Sequence, residues 1–142
     1  MKRFLVIAVG VGFAWLLYSP CDSQRTAAAN ADPEPMIVHN VYFSLKDNSL
    51  ANRKGFLEAC QKYLSDHPGT VYYSAGVLAE EFAREVNDRD FHMALHLVFK
   101  DKAAHDQYQV SEKHKQFIAE NSPKISKVRV FDSKVTNSKL AK

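Results

Sequence analysis

The fold of this chain is decided by one stretch of its sequence, Phe91-His92-Met93-Ala94-Leu95-His96-Leu97-Val98-Phe99. Successive side chains of a β-strand point to opposite faces of the sheet, so the stretch predicts a strand with two distinct faces. One face carries Phe91, Met93, Leu95, Leu97 and Phe99, and the other carries His92, Ala94, His96 and Val98. Both sets are largely apolar, which indicates that both faces of the sheet are covered.

The elements before this strand follow from alternation and capping. The run Met36–Leu45 alternates as a first strand, whose drier face holds Ile37, His39, Val41, Phe43 and Leu45. Asp47-Asn48-Ser49 supplies capping side chains, and apolar residues then recur at helical spacing over Leu50–Ser65. Pro68-Gly69 ends that helix, because proline cannot continue it and glycine permits the reversal of the chain.

The remaining elements are predicted in the same way. Thr70–Val77 is β-branched and aromatic, which predicts the second strand, and the charged segment Glu80–Asp90 predicts a loop with a helical turn. Lys102–Asn121 has a helical pattern that is expected to break near Ser111. Ile125–Ser133 gives the last strand.

The predicted order β-α-β-β-α-β is the ferredoxin-like arrangement, an α+β fold with a four-stranded antiparallel sheet and both helices on one face. The other face then carries His92, Ala94, His96 and Val98. A second copy of the chain is expected to cover this face, sheet against sheet, across a two-fold axis. The sequence therefore predicts a homodimer.

The first 31 residues predict an export segment. Lys2-Arg3 precedes a 15-residue apolar run from Phe4 to Tyr18, shorter than the roughly 20 residues of a membrane-spanning helix and typical of a secretory signal. Three processing routes are open: cleavage after Ala31, lipidation at Cys21, and an uncleaved membrane anchor. The domain is expected at 36–135, after a linker at 32–35 and before a polar tail at 136–142. The protein is thus expected in the periplasm or outside the cell, with membrane contact only through its N-terminus.

Charge and cysteine content restrict the function further. Removal of residues 1–31 lowers the net charge from +3 to +1, because the segment holds three basic residues and one acidic residue. A nearly neutral domain without a basic patch argues against a nucleic-acid partner. Removal of residues 1–31 also takes away Cys21 and leaves Cys60 as the lone thiol, so no intramolecular disulfide is expected.

Four features of the sequence together resemble the stress-responsive α/β-barrel (Dabb) family over roughly residues 36–135. These features are the run Met36-Ile-Val-His39-Asn-Val-Tyr-Phe, Pro68-Gly69, Gly76 at the end of the second strand, and the segment from Tyr108 to Phe117. The resemblance implies ferredoxin-like subunits whose sheets pack into a dimeric α/β barrel. It also implies a link to stress and, in the polyketide-cyclase branch, a pocket between sheet and helices that performs aldol chemistry.

The resemblance also assigns candidate site residues. His39, Tyr108 and His114 match the polar positions of the cyclase pocket, while Met93 and Cys60 stand where that branch has a histidine and a tyrosine. In a catalytic reading His114 is the base, Tyr108 the acid or oxyanion donor, and His39 the orienting group. The alternatives are a solvated charged run around His114 and a core role for His39. The ligand-binding residues would be Phe43, Cys60, Met93, Leu95 and Phe117.

Metals and cofactors are not expected from the spacing of the six histidines. His92 and His96 share a strand face, but four residues at roughly 3.3 Å each place them about 13 Å apart. A zinc ion with bonds of about 2 Å cannot bridge that distance. His67, His105 and His114 show no H-x-x-x-H spacing, and no glycine-rich phosphate loop is present.

Two functions remain. The first is an exported, stress-related dimer without enzymatic activity that binds a small apolar or aromatic ligand between sheet and helices. The second is a small lyase or cyclase that uses His114 and Tyr108 as an acid/base pair. The replacements at Cys60 and Met93 favour the first, and the geometry of the pocket discriminates between them.

Overall fold

A computed structural model describes residues 34–139 of the chain. Its elements are β1 (Ile37–Leu45), α1 (Leu50–Leu64), β2 (Thr70–Val77), β3 (Met93–Phe99), α2 (Lys102–Val110), α3 (Glu112–Asn121), a 3-10 turn (Ser122–Lys124) and β4 (Ile125–Lys134). The predicted export segment lies outside these residues, as do the first two residues of the linker and the last three residues of the tail. Within residues 34–139 no helix has the length and hydrophobicity needed to cross a membrane.

The four strands form one antiparallel sheet in the order β2-β3-β1-β4, which confirms the ferredoxin-like arrangement. Alternate residues of β1 and β3 are buried, and cross-strand partners such as Val41 and Leu95 lie on the same face. This buried face packs against the helices through Phe56, Tyr108 and Phe117. The period-two pattern that predicted the strands therefore also places the core.

The helices begin and end where side-chain caps predict. Ser49 caps α1, with its hydroxyl accepting from the Asn52 amide at 3.4 Å. Ser111 interrupts the second helical segment, as expected, with an extended backbone (φ −66°, ψ 148°). Its hydroxyl donates to the Tyr108 carbonyl at 2.8 Å and accepts from the His114 amide at 3.2 Å. One serine thus ends α2, starts α3 and turns the chain between them.

The segment between β2 and β3 differs from the prediction. Residues 80–90 form turns without a helix, so the predicted helical turn is wrong. The Asn87 side chain accepts from the Arg84 amide at 3.2 Å, and Asp88 accepts from the Asp90 amide at 2.9 Å. Side chains of this kind compete with helical hydrogen bonds and hold the backbone in turns.

The side chains that point away from the helices form the open face of the sheet, represented by Asn40, Tyr42, Ala94, His96, Val98, Arg129 and Phe131. Ala94, His96 and Val98 are half-buried in the single chain. His92 precedes β3, and its ring nitrogen Nδ1 accepts from the Leu45 amide at 2.9 Å. Three of the four residues predicted at the dimer contact, Ala94, His96 and Val98, therefore lie on the open face. The fourth, His92, accepts a hydrogen bond from the last residue of β1.

Candidate functional site

A cavity of about 320 Å³ lies between the sheet and helices α2 and α3, and we call it the helix-side cavity. The predicted site residues that line it are His39, Phe43, Leu95, Tyr108, His114 and Phe117. Apart from Gln109 and Ser122, the remaining walls are aliphatic. The two imidazoles of the catalytic hypothesis therefore border one cavity together with the phenol.

Cys60 and Met93 lie in the core and are not among the residues that line this cavity. Burial raises the pKa of Cys60 to about 12, so its thiol stays protonated at neutral pH. Both side chains belong to the hydrophobic core cluster of the domain.

The break at Ser111 brings His114 against Tyr108. Their rings lie 4.5 Å apart between centroids, at an interplanar angle of 41°. The Nδ1 nitrogen of His114 lies 3.0 Å from the Gln109 carbonyl oxygen, which can only accept, so Nδ1 carries the proton. The other ring nitrogen, Nε2, is left with its lone pair. His114 is half-buried beside the exposed Glu112 and Lys113, so it does not share their solvation.

His39 is held by a carboxylate from the neighbouring strand. Its Nδ1 lies 2.6 Å from an Oδ1 oxygen of Asp132, its register partner on β4. The carboxylate accepts the Nδ1 proton and fixes the tautomer, which again leaves the Nε2 lone pair free. The ring is buried against Tyr108 and Phe99, at centroid distances of 5.7 and 6.5 Å. His39 is thus a core residue and also a polar group at the cavity.

Burial keeps these groups uncharged. Desolvation lowers the pKa of His39 more than the hydrogen bond and charge of Asp132 raise it. Burial raises the pKa of Tyr108 above its usual value, so the phenol keeps its proton. At neutral pH the site therefore offers two imidazole acceptors and one phenol donor.

Asp132 and Gln109 belong to the site and were not predicted from the sequence. The only signal for Asp132 is a polar residue that shares strand parity with Val128 and Val130. Gln109 contributes a backbone carbonyl, which any residue could supply.

Three potential metal ligands also meet here. One donor atom from each of His39, His105 and Asp132 lies within 4.8 Å of the others. On the open face, Nδ1 of His96 lies 2.7 Å from the Asn40 side-chain oxygen, and Nδ1 of His92 accepts from the Leu45 amide at 2.9 Å. A second cavity, of about 470 Å³, lies on that face beside Tyr42 and Arg129.

The site predicts a loss of stability in mild acid. Burial lowers the pKa of His114 below its usual 6.5, although the Gln109 carbonyl favours the proton, and His39, His67 and His105 lower it further. A depressed folded-state pKa stabilises the protein above the unfolded pKa, and the contribution is lost as pH falls towards the folded value. The free energy of unfolding is therefore expected to decrease below about pH 6.5, and to decrease less in His114→Gln.

Urea unfolding of both proteins between about pH 7.5 and pH 5 measures this difference. The carboxylates with lowered pKa, such as Asp88 and Asp90, lose their contributions only at more acidic pH. Identical pH dependence in wild type and variant would show that His114 does not contribute.

Comparisons with known proteins agree with this architecture. A Dabb family protein with a ferredoxin-like fold from Mesorhizobium loti is 26% identical, with a TM-score of 0.61 over 70% of this chain and 96% of that chain. A dimeric ferredoxin-like protein from Thermobifida fusca is 14% identical, with a TM-score of 0.61 over 75% of this chain and 96% of that chain. The hydroxynitrile lyase from Passiflora edulis is 19% identical, with a TM-score of 0.60 over 77% of this chain and 100% of that chain.

No curated protein matches the sequence. The family model of the stress responsive A/B barrel domain, Dabb, matches residues 37–135, which is more than half of the chain. The chain therefore belongs to the Dabb family.

Proposed function

We propose that the protein is an exported, stress-related homodimer that binds a small, uncharged and largely apolar ligand in the helix-side cavity. The composition of the cavity wall carries this proposal. Aliphatic and aromatic side chains surround a few neutral polar groups, and none of the lining residues within 34–139 is Lys, Arg, Asp or Glu. At about 320 Å³, the cavity lies at the lower end of the roughly 300–1,000 Å³ of ligand sites, which suits a single-ring aromatic compound.

Native mass spectrometry of protein purified from its own source tests the ligand. The wild type is expected to carry a small molecule, while Val130→Trp, which places an indole in the cavity, loses it. Val86→Trp in the exposed β2–β3 loop is the matched control and should retain the molecule. A wild type that carries no molecule and binds none of a panel of single-ring aromatics would contradict the proposal. The subunit mass also reports processing within residues 1–31.

The open face supports the homodimer. Phe131 is exposed there beside Tyr42, and the central strands add Ala94, His96 and Val98. The Thermobifida fusca protein and a Bacteroides fragilis protein of similar fold are described as dimeric. A second copy of this chain, packed sheet against sheet, would remove these side chains from water.

Ala94→Glu is expected to convert the dimer into a monomer, because it places a carboxylate at the centre of the open face. Val110→Glu, at an exposed position on α2, is the matched control and should leave the dimer intact. Sedimentation velocity measures both masses. A monomeric wild type at micromolar concentration, or a dimeric Ala94→Glu protein, would place the contact elsewhere or exclude it.

A second candidate function is proton transfer in a lyase or cyclase, and the free Nε2 atoms of His39 and His114 favour it. His114 would take a proton from a carbon next to a carbonyl group, and Tyr108 would donate a hydrogen bond to the carbonyl oxygen. His39, held by Asp132, would orient the substrate or return the proton. The hydroxynitrile lyase shares only the fold with this chain, so the candidate rests on the cavity.

A further inference from the structure

We propose that His39, His105 and Asp132 form a binding site for a divalent transition metal of the zinc type. The three residues come from β1, α2 and β4, and one donor atom of each lies within 4.8 Å of the others. Two imidazole nitrogens and one carboxylate oxygen are a donor set that zinc accepts, with positions left for water or another ligand. The metal site shares His39 with the helix-side cavity, but the inference does not require the ligand proposed there.

The distances between donor atoms fit a metal after a small adjustment. The Oδ1 oxygen of Asp132 lies 2.6 Å from His39 Nδ1 and 4.0 Å from His105 Nε2. Tetrahedral zinc with bonds of about 2.0–2.2 Å requires separations of roughly 3.3–3.6 Å between its ligand atoms. One distance must therefore lengthen and the other shorten, each by less than about 1 Å. Asp132 allows this movement, because it lies on an edge strand and its side chain is half-exposed.

The surroundings of His105 orient it as a ligand. Its Nδ1 lies 3.4 Å from a carboxylate oxygen of Asp106, which accepts the ring proton, and Lys102 pairs with that carboxylate in turn. The Nε2 lone pair then accepts from the Gln109 side-chain amide at 3.2 Å, and Nε2 lies 4.0 Å from Asp132 Oδ1, so a metal ion would replace Gln109 as the partner of this nitrogen. A carboxylate behind a histidine is the usual support for a metal ligand.

Metal binding would change how His39 acts on the cavity. Without metal, Nδ1 donates its proton to Asp132 and Nε2 is an acceptor. Coordination through Nδ1 moves that proton to Nε2, so the ring becomes a donor. The site would thereby select ligands that present an acceptor, such as a carbonyl oxygen, when the metal is bound.

Isothermal titration of the tag-free, full-length protein with ZnCl₂ tests the site. One zinc ion per chain is expected for the wild type. His105→Phe keeps a ring against Phe99 but removes the donor, and Asp132→Asn keeps a hydrogen-bond acceptor for His39. Each of these two substitutions should weaken zinc binding by more than about 100-fold. Asp106→Asn, which changes only the hydrogen-bond partner of His105, should weaken it by about 10-fold.

Asp66→Asn is the matched control, because its carboxylate is exposed and lies outside the cluster. Cobalt(II) gives a second readout, since its visible absorption reports nitrogen and oxygen ligands in a low-symmetry site. Absence of zinc binding by the wild type would overturn the proposal. So would equal affinity in the wild type, His105→Phe and Asp132→Asn. Neither result bears on the apolar ligand, which is detected by mass in a separate experiment.

Discussion

Under the second candidate function, replacing His114 with asparagine is expected to slow proton transfer at the helix-side cavity by about 10²- to 10⁴-fold, the usual contribution of a general base. The measurement is deuterium exchange at the methyl group of acetophenone in D₂O, followed by NMR. This compound is small and uncharged, and it carries an acidic C–H next to a carbonyl group. Asparagine keeps a polar group of similar size but cannot accept the proton.

The expected size follows from the state of the imidazole. The Gln109 carbonyl holds the Nδ1 proton, and burial disfavours the imidazolium, so the Nε2 lone pair is present at neutral pH. The lowered pKa also predicts that exchange by the wild type persists below pH 6.5 before it declines. Tyr108→Phe should reduce the exchange rate but leave the wild-type dependence on pH unchanged, because the phenol stays protonated over the same pH range.

Lys115→Asn is the matched control, since Lys115 is exposed one residue beyond His114. Its rate should equal that of the wild type if the cavity, rather than the charged surface of α3, carries the activity. A wild type that fails to accelerate exchange above the buffer rate would exclude proton-transfer chemistry on this class of carbonyl compound. It would leave ligand binding as the function.

The sequence predicts this site as far as local rules extend. Alternation gives the strands and most of their faces, so His39 and Phe43 are expected on the same side of β1. Phe91 is the exception, because it precedes β3 and its ring lies 4.9 Å from that of Tyr42 on the open face. The helical pattern gives the expected break near Ser111, and that break allows Tyr108 and His114 to share a cavity although they are six residues apart. Each of these inferences depends on residues that are close in the chain.

The groups that hold His39 depend on distant pairing. Asp132 meets it only through the register of β1 with β4, across 93 residues of sequence. His105 reaches the same point because α2 packs beside β3 and places its ring against Phe99. A one-residue change of strand register would move Asp132 to the open face and separate the cluster. No local pattern fixes that register, so neither the His39–Asp132 hydrogen bond nor the proposed metal site could be derived from the spacing of residues in the sequence.

The second large effect is expected at Phe56. Phe56→Ala should lower the free energy of unfolding by about 3–5 kcal/mol, the usual cost of removing a fully buried aromatic ring. Phe56 is 1% exposed, and its ring centroid lies 5.0 Å from that of Phe43 and 5.6 Å from that of Phe117. The loss combines the apolar area returned to water, the two edge-to-face contacts and the cavity that remains.

This substitution also connects stability to function. Phe43 and Phe117 line the helix-side cavity, and Phe56 packs behind both of them. Without that support the two rings can relax into the vacated space, so the variant should bind the cavity ligand less tightly even where it remains folded. Urea unfolding measures the stability, and titration of the ligand well below the transition measures the affinity.

Phe82→Ala is the matched control for the change in composition, because Phe82 is 58% exposed in the β2–β3 loop. Its unfolding free energy should stay within about 0.5 kcal/mol of the wild type. If the free energy of unfolding fell equally little in Phe56→Ala and Phe82→Ala, the packing of Phe56 against Phe43 and Phe117 would not stabilise the fold. If Phe56→Ala were destabilised as expected but kept full ligand affinity, the ligand would contact a part of the cavity that the rings do not support. The polar end, at His39 and His114, would then determine binding.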